Sequence, residues 1–292
     1  MPFVICDVDD VLLEMGQISH LTEASLIEPL TRHFGAAQGE GVQREFMRSI
    51  GIMRQQLGNP SSVVDDRYQD IMARMAWWQR GVTEAGYEVK IWSRHALIAC
   101  ALEACALPVT AAVVNDVTDH YWAFVAQHAA VYSDAAALIQ ELWRAHIPVH
   151  LATGSDGFLI FDEPRQTFVY DPEDAIQRKL DRLQGLYELG FQPEQISIGD
   201  PVGKPSPAFF HSALRDFSQH LGCEIDLGQT IAIGDSLTHD ILPLLELGAG
   251  HGVWLQRETP APNPELVSPH PNVDVVTQLD AQRLHALFDR LM

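Results

Sequence analysis

Near the start of this chain a short apolar run, Phe3-Val4-Ile5-Cys6, stops abruptly at Asp7-Val8-Asp9-Asp10. A four-residue hydrophobic run ending so sharply reads as a buried strand opening into a polar loop. The pattern recurs down the chain. Val149-His150-Leu151-Ala152 runs into Thr153, Gly154 and Ser155, and Ile196-Ser197-Ile198 runs into Gly199-Asp200 and then Gly203-Lys204-Pro205. Ile231-Ala232-Ile233 runs into Gly234-Asp235-Ser236, with Asp240 following shortly after. In an open α/β sheet, ligands bind beyond the carboxyl ends of the strands, so these residues are expected along one edge. The set suits phosphoryl transfer. Carboxylates from two strands can hold Mg²⁺, and a carboxylate can attack phosphorus to form an aspartyl-phosphate. A second carboxyl two residues on is a candidate proton donor to the leaving oxygen. A metal and a lysine would neutralise charge as it spreads over the phosphoryl oxygens.

Taken singly, each of these residues has a plainer reading. An Asp-x-Asp at a strand end can simply solvate a turn, and Thr153 can be a turn hydroxyl or helix cap. Lys204 is one of only three lysines, with Lys90 and Lys179, but a glycine-flanked lysine on the surface is ordinary. Asp235 could be an N-cap, and Asp240 falls in a helical stretch where a solvated face is the usual explanation. It is their joint placement at successive strand ends that points to a site.

The elements that must position them follow from periodicity. From about Met15 to Val131 the pattern is helical: Phe46, Ile50, Met53 and Leu57 recur on one face, as do Ile71, Met75 and Trp78. Asn59-Pro60-Ser61-Ser62 breaks two such helices, and Trp77-Trp78 are expected in the helical core. Strand–helix alternation comes next. Ser133 and Asp134 can cap a helix, Ile147–Ala152 is a strand, and Asp171-Pro172 is an N-cap with proline at the first helical position. Ile176, Leu180, Leu183 and Tyr187 mark that helix's apolar face. Further strands are predicted at 196–198, 231–233, 253–255 and 273–276, with a Pro-rich loop from Thr259 to Pro271 between the last two. Strands alternating with helices predict a parallel sheet covered on both faces. Phe158–Phe161 and Thr167–Tyr170, around Asp162-Glu-Pro-Arg165, read as a β-hairpin added to that core.

In chain order, the strand-end segments resemble the four signature motifs of the haloacid dehalogenase (HAD) superfamily. Asp7-Val-Asp9-Asp10-Val-Leu12 resembles the first, Leu151-Ala-Thr153-Gly154 the second, Gly203-Lys204-Pro205-Ser-Pro207 the third, and Gly234-Asp235-Ser236-Leu-Thr-His-Asp240-Ile241 the fourth. The resemblance implies an α/β fold: a Rossmann-like parallel sheet core over 1–14 and 132–292, with a mainly α-helical type-one cap at 15–131 inserted after the first strand, and the hairpin at 158–170 inserted in the core. It implies Asp7 as nucleophile and Asp9 as general acid and base, which would require Asp9 to titrate near neutrality. Thr153 and the Gly154 amide would hold phosphoryl oxygens, and Lys204 would tie nucleophile to phosphate. Asp7, Asp235 and the Asp9 backbone carbonyl would bind Mg²⁺, with Asp10, Ser236 and Asp240 supporting. Dehalogenases of the family usually lack the second motif-one aspartate, so Asp9 favours a phosphomonoester hydrolase. A sugar phosphomutase and a non-catalytic phosphate-binding protein are the alternatives.

Composition narrows the classes. With 39 Asp+Glu against 19 Lys+Arg, the net charge of −20 disfavours nucleic acid and anionic membranes, whose binding rests on Lys and Arg. No apolar run approaches the roughly 20 residues of a membrane helix, and no basic residue precedes Phe3, so neither a membrane span nor a secretory signal is expected. Four scattered cysteines without a Cys-x-x-Cys pair suit a reducing, cytoplasmic compartment. A small phosphorylated substrate is the expected partner; the oligomeric state has no sequence signature here.

Overall fold

Four consecutive apolar residues buried on both faces build the first strand, β1 (Phe3–Cys6), and the same composition recurs in the strands that flank it. A computed structural model describes residues 2–58, 63–257 and 270–291; the predicted break at 59–62 and the Pro-rich stretch through residue 269 lie outside these. The chain divides into two compact units: Met1–Gly16, Ala129–Gly154 and Leu183–Met292 form one, Gln17–His128 and Ser155–Arg182 the other.

The first unit is a six-stranded sheet. Its further strands are β2 (Val149–Gly154), β5 (Ile196–Gly199), β6 (Thr230–Gly234), β7 (His251–Leu255) and β8 (Val273–Val276), in the spatial order β5-β2-β1-β6-β7-β8. Every pairing is parallel, with Cys6 opposite both Leu151 and Ile233. Helix α8 (Ser133–Arg144) leads into β2, and α10 (Gln184–Glu188) precedes β5. From β1 the chain steps outward to β2 and β5 on one side and then to β6, β7 and β8 on the other, so the strand order reverses beside β1, the switch point at which open α/β sheets bind ligands. Phe209, Phe210 and Phe217 pack with Ile5 and Ala232 in a core on one face of the sheet. The parallel sheet expected from the alternation, Rossmann-like as the family resemblance implies, is what folds.

The second unit is mainly helical, from α1 (Gly16–Ser25), α2 (Ile27–Phe34), α3 (Ala36–Gly58) and α4 (Asp66–Trp78) through α5 (Arg80–Glu84), α6 (Arg94–Ala104) and α7 (Ala111–His128). The predicted apolar faces largely hold: Phe46, Ile50, Met53, Ile71 and Met75 are buried, while Leu57 is exposed. Of the tryptophan pair, Trp78 is 4% exposed but Trp77 is 49% exposed, because successive helix residues point to different faces. Trp77 instead carries the Arg80 guanidinium over its ring.

The hairpin forms as β3 (Ile160–Asp162) antiparallel to β4 (Thr167–Val169), but it packs with the helical unit rather than the core. The Gly81 amide donates to Thr167 Oγ1, which in turn donates to the Trp78 carbonyl, and Phe161 and Phe168 lie against the Trp78 ring. Adjacency to β2 in the sequence suggests the core; long-range aromatic packing decides otherwise. The next helix, α9 (Pro172–Asp181), is capped by Asp171 as its sequence predicts. Its buried positions are Ala175 and Lys179, not Ile176 and Leu180, since Lys179 and Arg182 are drawn onto Asp156.

Candidate active site

Asp7 is the first residue past β1, and its amide donates to the Ile233 carbonyl at 2.9 Å, extending the pairing with β6. The side chain is buried. Beyond it the chain turns tightly: Leu12 and Leu13 amides both donate to the Val8 carbonyl, and Asp10 adopts φ 58°. A left-handed conformation is tolerated by aspartate better than by most residues. Here the Asp10 carboxylate stabilises it by accepting from the Met15 and Gly16 amides at 2.9 and 2.6 Å. Asp10 is thus a turn former, in the loop that carries Asp9.

Lys204 comes from the loop after β5. A Cβ on Gly199 would lie 2.8 Å from Gly203 Cα, so glycine is what lets this loop fold back on its strand. Ser206 then caps α11 (Pro207–Leu221). The folded loop aims Lys204 across the sheet edge, where Nζ donates to Asp7 Oδ1 and to Asp240 Oδ1, each at 2.6 Å.

Asp240 reaches Lys204 by an unusual route. Ser236 accepts from the His239 amide and opens a single π-helical turn, Leu237–Ile241, before α12 (Leu242–Glu246). Such turns widen a helix by one residue and often mark functional positions. The widened turn carries Asp240 inward, 5% exposed, with Oδ2 accepting from the Ser236 amide at 2.9 Å. A Cβ on Gly234 would sit 2.7 Å from the Asp240 Cγ and Oδ2. Asp240 is therefore no solvated helix residue; Gly234 vacates the space it occupies. His239 stays exposed, held to Ser236 and Thr238.

Asp7, Asp235 and Asp240 each present a carboxylate oxygen such that all three lie within 4.8 Å of one another. Burial raises the Asp7 carboxyl well above the ordinary carboxylate range; Lys204 opposes this, and Asp240 and Asp9 push it further up. Burial likewise raises Asp235, assisted by Asp7, Asp240 and Asp10. For Lys204 burial disfavours the ammonium, but Asp7 and Asp240 outweigh it and hold the charge firmly. Three carboxyl groups crowded about one ammonium make an oxygen-rich cluster, a donor set that fits a hard divalent cation such as Mg²⁺. On the neighbouring strand Thr153 is fully buried, and its Oγ1 makes no hydrogen bond among the described residues. A Cβ on Gly154 would meet nothing within 4 Å. An unfilled buried donor beside open space fits an anionic oxygen.

All the sequence-predicted residues are thus on the C-terminal edge of one sheet. Three that sequence reasoning missed lie at or just past the end of β7. Trp254 Nε1 and Gln256 Nε2 donate to the Asp235 carbonyl at 2.8 and 3.1 Å. Arg257 donates to the carbonyls of Asp10 and Val11 and to Asp134 Oδ2. For Gln256 and Arg257 the signal is the one that marks the other strands, polar residues directly past an apolar run, here Val253-Trp254-Leu255; Trp254 lies within that run.

Comparison with known proteins places the chain in a family and its fold among solved structures. A family model of haloacid dehalogenase-like hydrolases matches residues 1–248. Among solved structures, the chain is similar to a haloacid dehalogenase-like family hydrolase from Xanthomonas campestris, at 16% identity and TM-score 0.55 over 100% of this chain and 93% of that one. It is similar to the HAD-hydrolase YfnB of Bacillus subtilis, solved bound to magnesium, at 15% identity and TM-score 0.54 over 99% and 98%. It also resembles a 2-haloacid dehalogenase from Pseudomonas syringae pv. Tomato, at 15% identity and TM-score 0.54 over the whole of both chains. No curated protein matches its sequence. Among the described residues no helix is long and apolar enough to cross a membrane. With most of its length matched by the family model and its motif residues gathered at one sheet edge, the chain belongs to the haloacid dehalogenase-like hydrolases.

Proposed function

We propose that this protein is a Mg²⁺-dependent phosphomonoester hydrolase acting on a small phosphorylated metabolite through an aspartyl-phosphate on Asp7. The observation that carries the reading is Lys204, whose ammonium stands 2.6 Å from both Asp7 and Asp240. It anchors a buried carboxylate and offers positive charge where phosphoryl oxygens would lie. A dehalogenase has no leaving alkoxide to protonate; Asp9, two residues from the nucleophile, supports phosphate chemistry instead.

In this reading an Asp7 carboxylate oxygen attacks phosphorus as the bond to the leaving oxygen breaks, and Asp9 delivers a proton to that oxygen. Asp9 then takes a proton from the water that attacks the phosphoenzyme, which frees inorganic phosphate and restores Asp7. Lys204, the Thr153 hydroxyl and the Gly154 amide hold the phosphoryl oxygens, and Asp240 keeps Lys204 in line. Asp7, Asp235 and the Asp9 carbonyl would hold Mg²⁺, with Asp10 and Ser236 shaping the loops. When bound, the cation neutralises charge on the phosphoryl group. The helical unit would act as the cap that selects a small substrate. The four cysteines stand as free thiols, which supports a cytoplasmic setting.

The test is phosphate release from p-nitrophenyl phosphate and a panel of phosphorylated metabolites, with and without Mg²⁺, comparing wild type with Asp7→Asn. Metal-dependent turnover that disappears in the variant is expected. Turnover surviving Asp7→Asn would sink the assignment, and metal-dependent vanadate binding without hydrolysis of any ester would favour a phosphate-binding protein.

A further inference from the structure

We propose that Arg257 is a positioning residue for the Asp7–Leu13 loop: one guanidinium at the end of β7 fixes the backbone that carries Asp9. Arg257 lies outside all four motifs, and each of its three nitrogens donates a hydrogen bond. Nε donates to the Asp10 carbonyl at 3.3 Å, one terminal nitrogen to the Val11 carbonyl at 2.9 Å, and the other to Asp134 Oδ2 at 2.9 Å. Its Cζ lies 3.7 Å from the centroid of the Tyr132 ring. A planar fork of fixed donors stacked on an aromatic face is what arginine offers and lysine does not.

The anchor is itself anchored. Asp134 Oδ2 also accepts from the Leu279 amide and Oδ1 from the Ala135 amide. Tyr132 is held to the loop by its amide, which donates to the Leu12 carbonyl at 3.0 Å. The Asp10 carboxylate holds the far side of this turn through the Met15 and Gly16 amides, and Arg257 ties the Asp10 and Val11 carbonyls on the side facing β7. The same strand end holds Asp235 through Trp254 and Gln256. β7 thus fixes the backbones of the first and fourth motifs together, and a proton donor at Asp9 is useful only if its loop is held at the right distance from the leaving oxygen.

The consequence for catalysis rests on the phosphomonoester reading; the structural claim does not. Two measurements on the full chain separate them. Hydrogen exchange over residues 8–13 is compared in wild type, Arg257→Gln and Arg257→Lys, the last keeping the charge without the fork. Faster exchange in both variants, larger in Arg257→Gln, is expected. Unchanged exchange in that segment overturns the proposal whatever the activity. Hydrolysis is then followed over a series of substituted phenyl phosphates of similar size. A misplaced Asp9 hurts poor leaving groups most, so the spread in kcat/KM across the series should widen by about tenfold in Arg257→Gln, through kcat and with KM little changed. An equal loss across the series, or one confined to KM, would overturn the link to Asp9. If wild type hydrolyses no ester while the exchange still responds, the phosphatase reading fails and the loop clamp stands.

Discussion

Two buried histidines make an acid-stability prediction that can be worked through in numbers. His95 lies in the helical unit against the rings of Phe158 and Phe168. His150 is in β2, stacked on Phe217 with Nε2 bonded to Ser197 Oγ at 2.8 Å. In both, Nδ1 is buried without a hydrogen-bond partner among the described residues, so protonation would put a charge where nothing accepts it. Burial accordingly lowers both pKa values to about 3, with a small further push from Arg178 on His95 and from His220 on His150. A depressed folded-state pKa gives stability that is present above the unfolded value of about 6.5 and is lost as pH falls toward about 3.

Between pH 7 and pH 4.5, each histidine should withdraw roughly 2.5 kcal/mol, since the unfolded chain takes up the proton and the folded one does not. The assay is urea unfolding at the two pH values for wild type, His95→Phe and His150→Phe. Each replacement carries its own packing cost at both pH values, so the quantity read is the difference between them. That difference should shrink by about 2.5 kcal/mol in each variant relative to wild type. Variants that lose as much stability on acidification as wild type would refute the reasoning and show the imidazoles finding water or an acceptor.

Other outcomes rest on single contacts. Gly234→Ala drives a methyl into the Asp240 carboxyl, and overpacking of this kind costs about 1–3 kcal/mol; it should also free Lys204 from Asp240, seen as a lower melting temperature together with a fall in Mg²⁺-dependent turnover. A variant that melts and works like wild type would remove the steric argument. Asp156→Asn takes away the carboxylate shared by the buried Lys179 and Arg182, and breaking a buried pair from one side costs about 3–5 kcal/mol. Lys179→Met should cost less, because Arg182 keeps its partner; urea unfolding of the two variants gives the order.

Much of what the chain encodes locally is legible in its sequence, though Ser133 and Asp134 do not cap the helix they begin, whose N-cap is Tyr132. Apolar runs that stop at Asp, Thr or Gly announce β1, β2, β5 and β6, and residues shortly past them, Asp7, Thr153, Lys204 and Asp235, lie along one sheet edge. That works because a parallel sheet places every strand's carboxyl end at the same edge, so topology converts sequence position into spatial proximity. The capping of α9 by Asp171 is equally legible, since an N-cap is satisfied within three residues.

The tertiary structure decided whatever depends on partners far away in the chain. The family resemblance implies a supporting role for Asp240 that its helical context alone does not show; the π turn and the space left by Gly234 are what bring it onto Lys204. The hairpin's own alternation predicts its strands, yet its allegiance is set by Trp78, about 80 to 90 residues upstream. Lys179 carries no local mark of burial, because its burial depends on a carboxylate supplied by a separate segment. Arg257 shows the limit most clearly: its three acceptors lie 123 to 247 residues away. A hydrogen bond between distant segments leaves no period and no motif in the sequence, and only the folded chain brings its two ends together.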